Sequence, residues 1–179
     1  MTLKECESCL EEIRSGGSDG LKRLYTEYYN AVFALSLSML KDYHKAEDAA
    51  QEVFLKIWGS ASGYRFGSNP KGWIMAITRN LCIDYLRRQK HETPDDAVCE
   101  TAAGTLDPGA LVESRVALES ALSVLPEPER EIFILHFVWD SSYLTISRML
   151  KIPLATVAYK CTRSVKMMQK VLLNAGGKV

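Results

Sequence analysis

Apolar residues recur along most of this chain with the period of an α-helix. In residues 21–40 they stand three or four apart, which predicts one buried stripe. That stripe consists of Leu24, Tyr28, Val32, Leu35 and Met39. Residues 42–58 repeat the pattern with six apolar side chains on one face: Ala46, Ala49, Ala50, Val53, Phe54 and Ile57. The spacing therefore predicts two consecutive amphipathic helices.

A third helix follows a polar interruption. Residues 59–69 are rich in Gly and Ser, which predicts a loop. Pro70 suits the first turn of a helix, and either Asn69 or Ser68 can cap it. The apolar spacing continues through Trp73, Ile77 and Leu81 to about residue 90.

Residues 91–112 combine prolines and glycines with acidic and small side chains, which is typical of a flexible linker. A second helical unit begins near Leu111, pauses at Pro126 and Pro128, and resumes over residues 129–138. With no repeat and no alternating pattern long enough for a sheet, the fold class is all-α. We expect two small helical domains, 1–90 and 113–179, joined by a flexible acidic linker over 91–112.

The second unit ends in a helix-turn-helix pattern. Residues 141–150 and 154–173 predict the two helices, and Lys151, Ile152 and Pro153 break them. The second helix carries an apolar stripe made of Val157, Cys161, Val165, Met168 and Leu172. A separate stripe consists of Tyr159, Arg163, Lys166 and Lys170.

Charge favours DNA as the ligand of this second helix. Residues 141–179 contain seven Lys or Arg and no Asp or Glu. A helix with an apolar back and a cationic front suits the major groove, where it meets phosphates and base edges. The alternative is a solvated basic helix that packs on a small core.

The whole chain is nevertheless neutral, with 22 basic and 22 acidic residues. Residues 92–113 hold six of the acids and no Lys or Arg. We therefore expect a protein that binds DNA poorly alone and needs a partner to present it. The acidic segment would either suppress DNA binding by the free protein or serve as a passive tether.

The N-terminal residues have no continuous apolar core, so we expect no signal peptide, and residues 31–40 are too short an apolar run for membrane insertion. A cytoplasmic protein is expected, with its five cysteines reduced. Cys6 and Cys9 form half of a metal-binding pattern, but no second CxxC or HxxxH follows, so a structural role is favoured and no metal or cofactor is predicted.

Catalysis finds little support in the sequence. His44, His91 and His136 are scattered, no Ser or Cys has a local base, and no Gly-rich phosphate loop is present. We therefore predict that the protein is not an enzyme.

The predicted helix over residues 42–58 carries an acidic patch made of Asp48, Gln51 and Glu52. Asp48 and Glu52 are four residues apart and so adjacent on the helix surface. Such a patch would repel phosphate, so we interpret it as a contact for a basic protein surface. An ordinary solvated face is the alternative.

The third helix and the loop before it mix aromatic rings with cations, which suits single-stranded DNA because rings stack on bases and cations hold phosphates. The residues concerned are Arg65, Lys71, Trp73, Arg79, Arg87 and Arg88. Trp73 could instead pack on Ile77 and Leu81. Asn80 has no evident structural task, and its amide can read a base edge through a paired donor and acceptor.

These blocks together resemble the extracytoplasmic-function (ECF) sigma factors, small two-domain specificity subunits of bacterial RNA polymerase. The first block comprises Tyr28, Tyr29, residues 46–54 (AEDAAQEVF) and Trp58. The second comprises residues 71–74 (KGWI) and 76–88 (AITRNLCIDYLRR), and the third has Leu125-Pro126, residues 130–133 (REIF), Ile152-Pro153 and Thr156-Val157. The resemblance covers roughly residues 20–174.

The resemblance implies that the chain binds core RNA polymerase and directs it to promoters. Asp48, Gln51 and Glu52 would contact the clamp helices of the β′ subunit, and the second domain would contact the β flap. Asn80 would line a pocket for a base flipped out of the minus-10 element, with the 63–71 loop as its wall. The minus-35 element would meet Thr156, Tyr159, Lys160, Arg163 and Lys166. An anti-sigma factor would be a further partner.

The chain departs from the family pattern around its helix-turn-helix. Lys151 stands where the turn usually has Gly, so the turn either tolerates a positive φ or differs. Leu144 and Thr145 replace common acids, and Ala158 replaces a common Lys. Trp139 either packs beneath the motif or forms an exposed protein contact. A helix-turn-helix regulator with an N-terminal helical sensor domain is the alternative function, but it leaves Asn80 and the acidic patch unexplained.

Overall fold

A computed structural model describes residues 1–92 and 122–176, including the side chains of 1–89 and 122–170. The chain divides into two compact units, Met1–Thr101 and Ala102–Val179. Across the described residues the backbone is helical, with turns and short connections and no strand. The all-α prediction is therefore confirmed. The expected start of a helix near Leu111 and most of the acidic linker lie outside the described residues.

The N-terminal unit begins with a helix that the apolar spacing did not predict, α1 (Leu3–Arg14). Thr2 and Glu5 form a capping box, in which the Glu5 amide donates to the Thr2 hydroxyl at 3.3 Å and the Thr2 amide to Glu5 at 2.7 Å. Cys6 and Cys9 are 1% and 0% exposed, and burial raises the pKa of the Cys6 thiol to about 11. Both cysteines thus belong to the core.

Helices α2 (Ser18–Leu40) and α3 (Tyr43–Ser60) match the first two predicted helices, although α2 begins three residues earlier than expected. All six apolar residues of the α3 stripe are buried. In α2 the prediction holds for every position except Met39, which is partly exposed. Gly20 lets α2 approach α1 closely, because a Cβ there would lie 2.4 Å from the Cys9 carbonyl oxygen.

Helix α4 (Pro70–Glu92) packs on both α2 and α3. Its start was predicted correctly, because Pro70 occupies the first turn and the Asn69 side chain accepts from the Gly72 amide at 3.0 Å. The helix continues through His91 and Glu92, two residues that the sequence placed in the linker. The loop before it, residues 64–69, follows a short 3₁₀ turn at Ala61–Gly63.

The described part of the C-terminal unit contains α5 (Glu127–Phe133), a π-helical turn (Ile134–Val138), α6 (Tyr143–Leu150) and α7 (Leu154–Gly176). Helix α6 begins two residues later than expected, because Ser142 caps it by accepting from the Thr145 amide at 3.2 Å. Helix α7 ends three residues later than predicted. Trp139 is fully buried, so the packing role and not the exposed contact is correct.

The turn between α6 and α7 contains Lys151 in the left-handed conformation, with φ 56° and ψ 41°. The turn thus keeps a positive φ without the usual glycine, the first of the two possibilities considered for Lys151. Ser147 supports this turn, since its hydroxyl donates to the Ile152 carbonyl at 2.6 Å. The buried face of α7 begins as predicted with Val157 and Cys161, whereas Val165 and Met168 are partly exposed.

Candidate nucleic-acid interface

The acidic patch lies on the face of α3 opposite its buried apolar stripe. Asp48 and Gln51 are exposed, whereas Glu52 is partly buried at the junction with α4. The Tyr85 hydroxyl donates to Glu52 Oε2 at 2.9 Å, and Lys56 Nζ lies 3.8 Å from Glu52 Oε1. Asp48 and Gln51 therefore form the accessible part of the patch, and Glu52 also links the two helices.

The contact between Tyr85 and Glu52 was not predicted from the sequence. Burial raises the pKa of Tyr85, and the hydrogen bond to the Glu52 carboxylate raises it further. The phenol therefore keeps its proton and remains a donor at neutral pH. Because Tyr85 belongs to α4, this bond connects the acidic patch directly to the helix that carries the aromatic and cationic residues.

Helix α4 separates a buried face from a polar one. Its core side chains are Ile74, Met75, Thr78, Leu81 and Cys82. Asn80 and the two arginines Arg87 and Arg88 are exposed. Trp73, Asn80 and Arg87 are spaced by seven residues, about two turns, so they share a face of the helix. The predicted base-reading amide is thus accessible to a ligand.

Three further predicted residues of α4 are only partly accessible: Lys71, Trp73 and Arg79. The Trp73 ring meets the buried Tyr64 ring edge-on, with centroids 5.3 Å apart. Its main described ring partner is therefore in the loop before α4. Arg87 Nη1 also lies 3.8 Å from Asp84 Oδ1, an exposed pair that adds little stability.

The loop of residues 64–69 presents Arg65 and Phe66 at the surface and buries Tyr64. The Ser68 amide and hydroxyl both donate to the Arg65 carbonyl, at 3.2 and 2.6 Å, which closes the turn. Burial raises the pKa of Tyr64, the Ser68 bond opposes this shift, and the bond to Glu7 adds to it. Glu7, on α1, was missed because it lies 57 residues from Tyr64.

On α7 the predicted DNA-contacting residues differ in accessibility. Tyr159, Arg163 and Lys166 are exposed, whereas Thr156 and Lys160 are partly buried. Tyr159 is 66% exposed. Over residues 154–170, α7 therefore presents an aromatic and cationic face beside its buried one.

A buried carboxylate, Glu129 on α5, pairs with two of these cations. Glu129 Oε1 lies 3.2 Å from Lys160 Nζ and 3.3 Å from Arg163 Nη1, and only 3% of its side chain is exposed. No sequence pattern predicts this contact, because Glu129 stands 31 and 34 residues from its partners. Lys160 and Arg163 therefore anchor α7 to α5 as well as facing outward.

These features define a helical protein with an aromatic and cationic helix face in one unit and an acidic patch beside an aromatic and cationic helix in the other. Two family models match the chain in the same order. Sigma-70 region 2 matches residues 24–92, and Sigma-70 region 4 matches residues 115–168.

Characterised relatives cover most of the chain. The ECF RNA polymerase sigma factor SigM of Bacillus subtilis is 32% identical over 135 residues, which are 74% of this chain and 82% of SigM. The B. subtilis ECF sigma factor SigW is 25% identical and matches 91% of this chain and 94% of its own length.

Two solved structures share the fold. One is CnrH in complex with the cytosolic domain of CnrY, with a TM-score of 0.65, 16% identity and coverage of 96% of this chain and 98% of that chain. The other is the sigma factor RpoE in complex with the anti-sigma factor NepR from Bartonella quintana, with a TM-score of 0.61, 24% identity and coverage of 87% and 97%.

The chain belongs to the ECF sigma factors of RNA polymerase. It is a transcription initiation factor that directs polymerase to promoters, as the sequence predicted. The alternative of a regulator with a sensor domain is not favoured, because the N-terminal unit matches Sigma-70 region 2. Along residues 1–92 and 122–176, no helix is both long and apolar enough to cross a bilayer.

Proposed function

We propose that Asp48, Gln51 and Glu52 bind the clamp helices of the polymerase β′ subunit. The observation that supports this most directly is the exposure of an acidic face on α3 beside the aromatic and cationic helix α4. Such a face repels phosphate and attracts a basic protein surface, which steers association. Glu52 also accepts the Tyr85 bond, so its role combines contact and support.

The exposed face of α4 binds the melted minus-10 element in this proposal. Asn80 reads the edge of a flipped base, and Arg65, Lys71, Arg79, Arg87 and Arg88 hold phosphates while Trp73 supports the pocket. Unstacking a base costs a few kcal/mol, and stacking with hydrogen bonds returns about as much. Binding energy alone therefore opens the promoter, with no catalytic step and no cofactor.

The C-terminal unit binds the minus-35 element through α7 and contacts the β flap. Thr156, Tyr159, Lys160, Arg163 and Lys166 are the DNA-binding residues of this proposal. Functional domains of residues 1–90 and 113–179, joined by an acidic linker over 91–112, would let one protein hold both promoter elements. We place the protein in the cytoplasm, where polymerase is found.

An anti-sigma factor is proposed as a regulatory partner. Two proteins with this fold were solved in complexes, RpoE with the anti-sigma factor NepR and CnrH with the cytosolic domain of CnrY. Such a partner would compete with polymerase for the N-terminal unit, with promoter DNA for α7, or with both.

Polymerase binding is tested by Asp48→Arg with Gln51→Arg, two exposed positions that leave the Glu52 bond intact. We expect loss of core-enzyme capture in a pull-down, because the patch becomes cationic. Ser8→Arg with Glu11→Arg is the matched control, since it makes the same charge change three residues apart on exposed positions of α1. Capture of core enzyme at wild-type levels by the folded Asp48/Gln51 variant would exclude this assignment.

Promoter melting is tested by Asn80→Ala in reconstituted holoenzyme. Permanganate footprinting should show fewer open complexes on duplex DNA, while core binding is retained. A pre-melted minus-10 bubble should restore part of the activity, because its bases are already unpaired and the holoenzyme need not supply the free energy of opening. Asn30→Ala, an exposed amide on α2, is the control. Equal defects on duplex and pre-melted promoters would show that Asn80 does not act in melting.

A further inference from the structure

The loop of residues 64–69 is held by α1 as well as by its own hydrogen bonds. Glu7 Oε1 accepts from the Tyr64 hydroxyl at 3.1 Å and from the Gly67 amide at 2.6 Å. Gly67 has a positive φ of 79°, a conformation that favours glycine. One carboxylate oxygen on α1 therefore joins both ends of the exposed segment Arg65–Phe66.

A second contact joins the same helix to the same loop. The Arg14 guanidinium lies 5.9 Å from the centroid of the Phe66 ring, within the range of a cation–π contact. Glu7 and Arg14 are seven residues apart, about two turns, so they lie on one face of α1. That face of α1 contacts the loop from the side chain of Tyr64 to that of Phe66.

The remaining described bonds of the loop are local. Tyr64 donates its amide to the Ala61 carbonyl at 3.2 Å, and Ser68 bonds to the Arg65 carbonyl and to the Tyr64 side chain, both within the loop. Such bonds fix the shape of a turn but not its position relative to α1. Glu7 reaches across 57 and 60 residues of sequence, so its bonds fix the loop relative to the helical core. Hydrogen bonds to a carboxylate are also stronger than neutral ones.

We propose that Glu7 is a positioning residue for base selection at the minus-10 element: it fixes the 64–69 loop as the wall of the base pocket that contains Asn80. The inference rests on the proposed function of that pocket. Glu7 touches no DNA itself. Glu7 holds Tyr64, the buried first residue of the loop, and the Tyr64 ring in turn meets the Trp73 ring of α4 edge-on. A pocket must be held to a fraction of an ångström to discriminate bases, and this bond network supplies that support.

The test uses reconstituted holoenzyme and four promoters that differ only in the proposed flipped base. Glu7→Ala should lower the ratio of transcription between the best and the worst base by about fivefold, the effect of about one lost hydrogen bond. Glu7→Gln keeps one acceptor oxygen and should lie between Glu7→Ala and wild type. Asp19→Ala is the control, because it removes an exposed carboxylate whose described bond stays within α2.

Two readouts separate positioning from general support of the fold. Core-enzyme capture and the thermal midpoint of the free protein should change little in Glu7→Gln. An equal fall in transcription from all four promoters, or an unchanged base preference in Glu7→Ala, would overturn the inference. Asn80→Ala is measured in parallel: if it abolishes base preference while Glu7→Ala does not, the pocket stands and the role of Glu7 is wrong. If neither changes base preference, the pocket assignment fails as well.

Discussion

Glu129 is a buried carboxylate whose two cationic partners also belong to the proposed DNA-binding face. Glu129 Oε1 lies 3.2 Å from Lys160 Nζ and 3.3 Å from Arg163 Nη1, so its negative charge opposes the attraction of these two cations for phosphate. Part of the free energy of any phosphate contact is therefore offset inside the protein. The carboxylate also keeps α5 and α7 together, since removing one partner of a buried ion pair is destabilising.

We expect Glu129→Gln to raise the affinity of the free protein for duplex DNA at low salt. Both cations would then be available for phosphate, so the slope of log K against log salt should steepen by up to about two. Fluorescence-anisotropy titrations over a series of salt concentrations measure the slope. Glu127→Gln makes the same charge change at an exposed position of α5 and should have a smaller effect. A slope unchanged from wild type would show that Glu129 does not restrain these cations.

At the residue scale, helical periodicity predicts exposure but not long-range partners. It placed Tyr159, Arg163 and Lys166 away from the apolar stripe of α7, and each is exposed. It could not pair Glu7 with Gly67 or Glu129 with Arg163, because those contacts depend on how helices dock. The functional roles of the candidate site residues remain predictions that the experiments above address.

At the scale of elements, the turn between α6 and α7 contains a residue in a strained backbone conformation. Lys151 ends α6 with φ 56°, where a Cβ is disfavoured by roughly 1–2 kcal/mol. Its amide still donates to the Ser147 carbonyl, so the helix end is satisfied. The geometry of the turn is therefore set by the docking of α6 and α7 and not by the preference of its residue.

Lys151→Gly should stabilise the C-terminal unit by up to about 1 kcal/mol, because the relief of strain exceeds the added freedom of the unfolded chain. Amide hydrogen exchange over residues 146–161 measures the stability of this unit in the full protein. Gln169→Gly, exposed in the interior of α7, is the opposite control and should cost about 1 kcal/mol. Faster exchange in Lys151→Gly than in wild type would show that the turn does not carry this strain.

The elements that could be predicted are those with a long apolar stripe. Six regularly spaced apolar positions predicted α3, and Pro70 with its Asn69 cap predicted the start of α4. Helix α1 was not among the predicted helices, because its segment is polar and its buried face includes two cysteines, Cys6 and Cys9, in place of a long aliphatic stripe. The contacts that Glu7 and Arg14 of α1 make with the 64–69 loop could be found only from the packed structure.

At the scale of the whole molecule, the neutral net charge separates into an acid-free C-terminal tail and an acidic segment. Residues 92–113 carry six acids, and the proposed DNA-binding face of α7 carries Lys160, Arg163 and Lys166. Because both belong to one chain, we predict that the acidic segment competes with DNA for these cations. Glu129 already restrains two of them, so the two effects act in the same direction.

Neutralising Glu92, Asp95, Asp96, Glu100 and Asp107 to amides should therefore raise the affinity of the free protein for duplex DNA at low salt. The competition is screened electrostatics, with a Debye length of about 10 Å at 0.1 M salt, so the gain should shrink as salt increases. Anisotropy titrations of wild type and variant at several salt concentrations measure it. The control neutralises Glu5, Glu11, Asp19, Glu27 and Asp42 in the N-terminal unit, which makes the same change in net charge. If this control gains as much affinity as the linker variant, only overall charge matters; if neither gains, the segment is a passive tether.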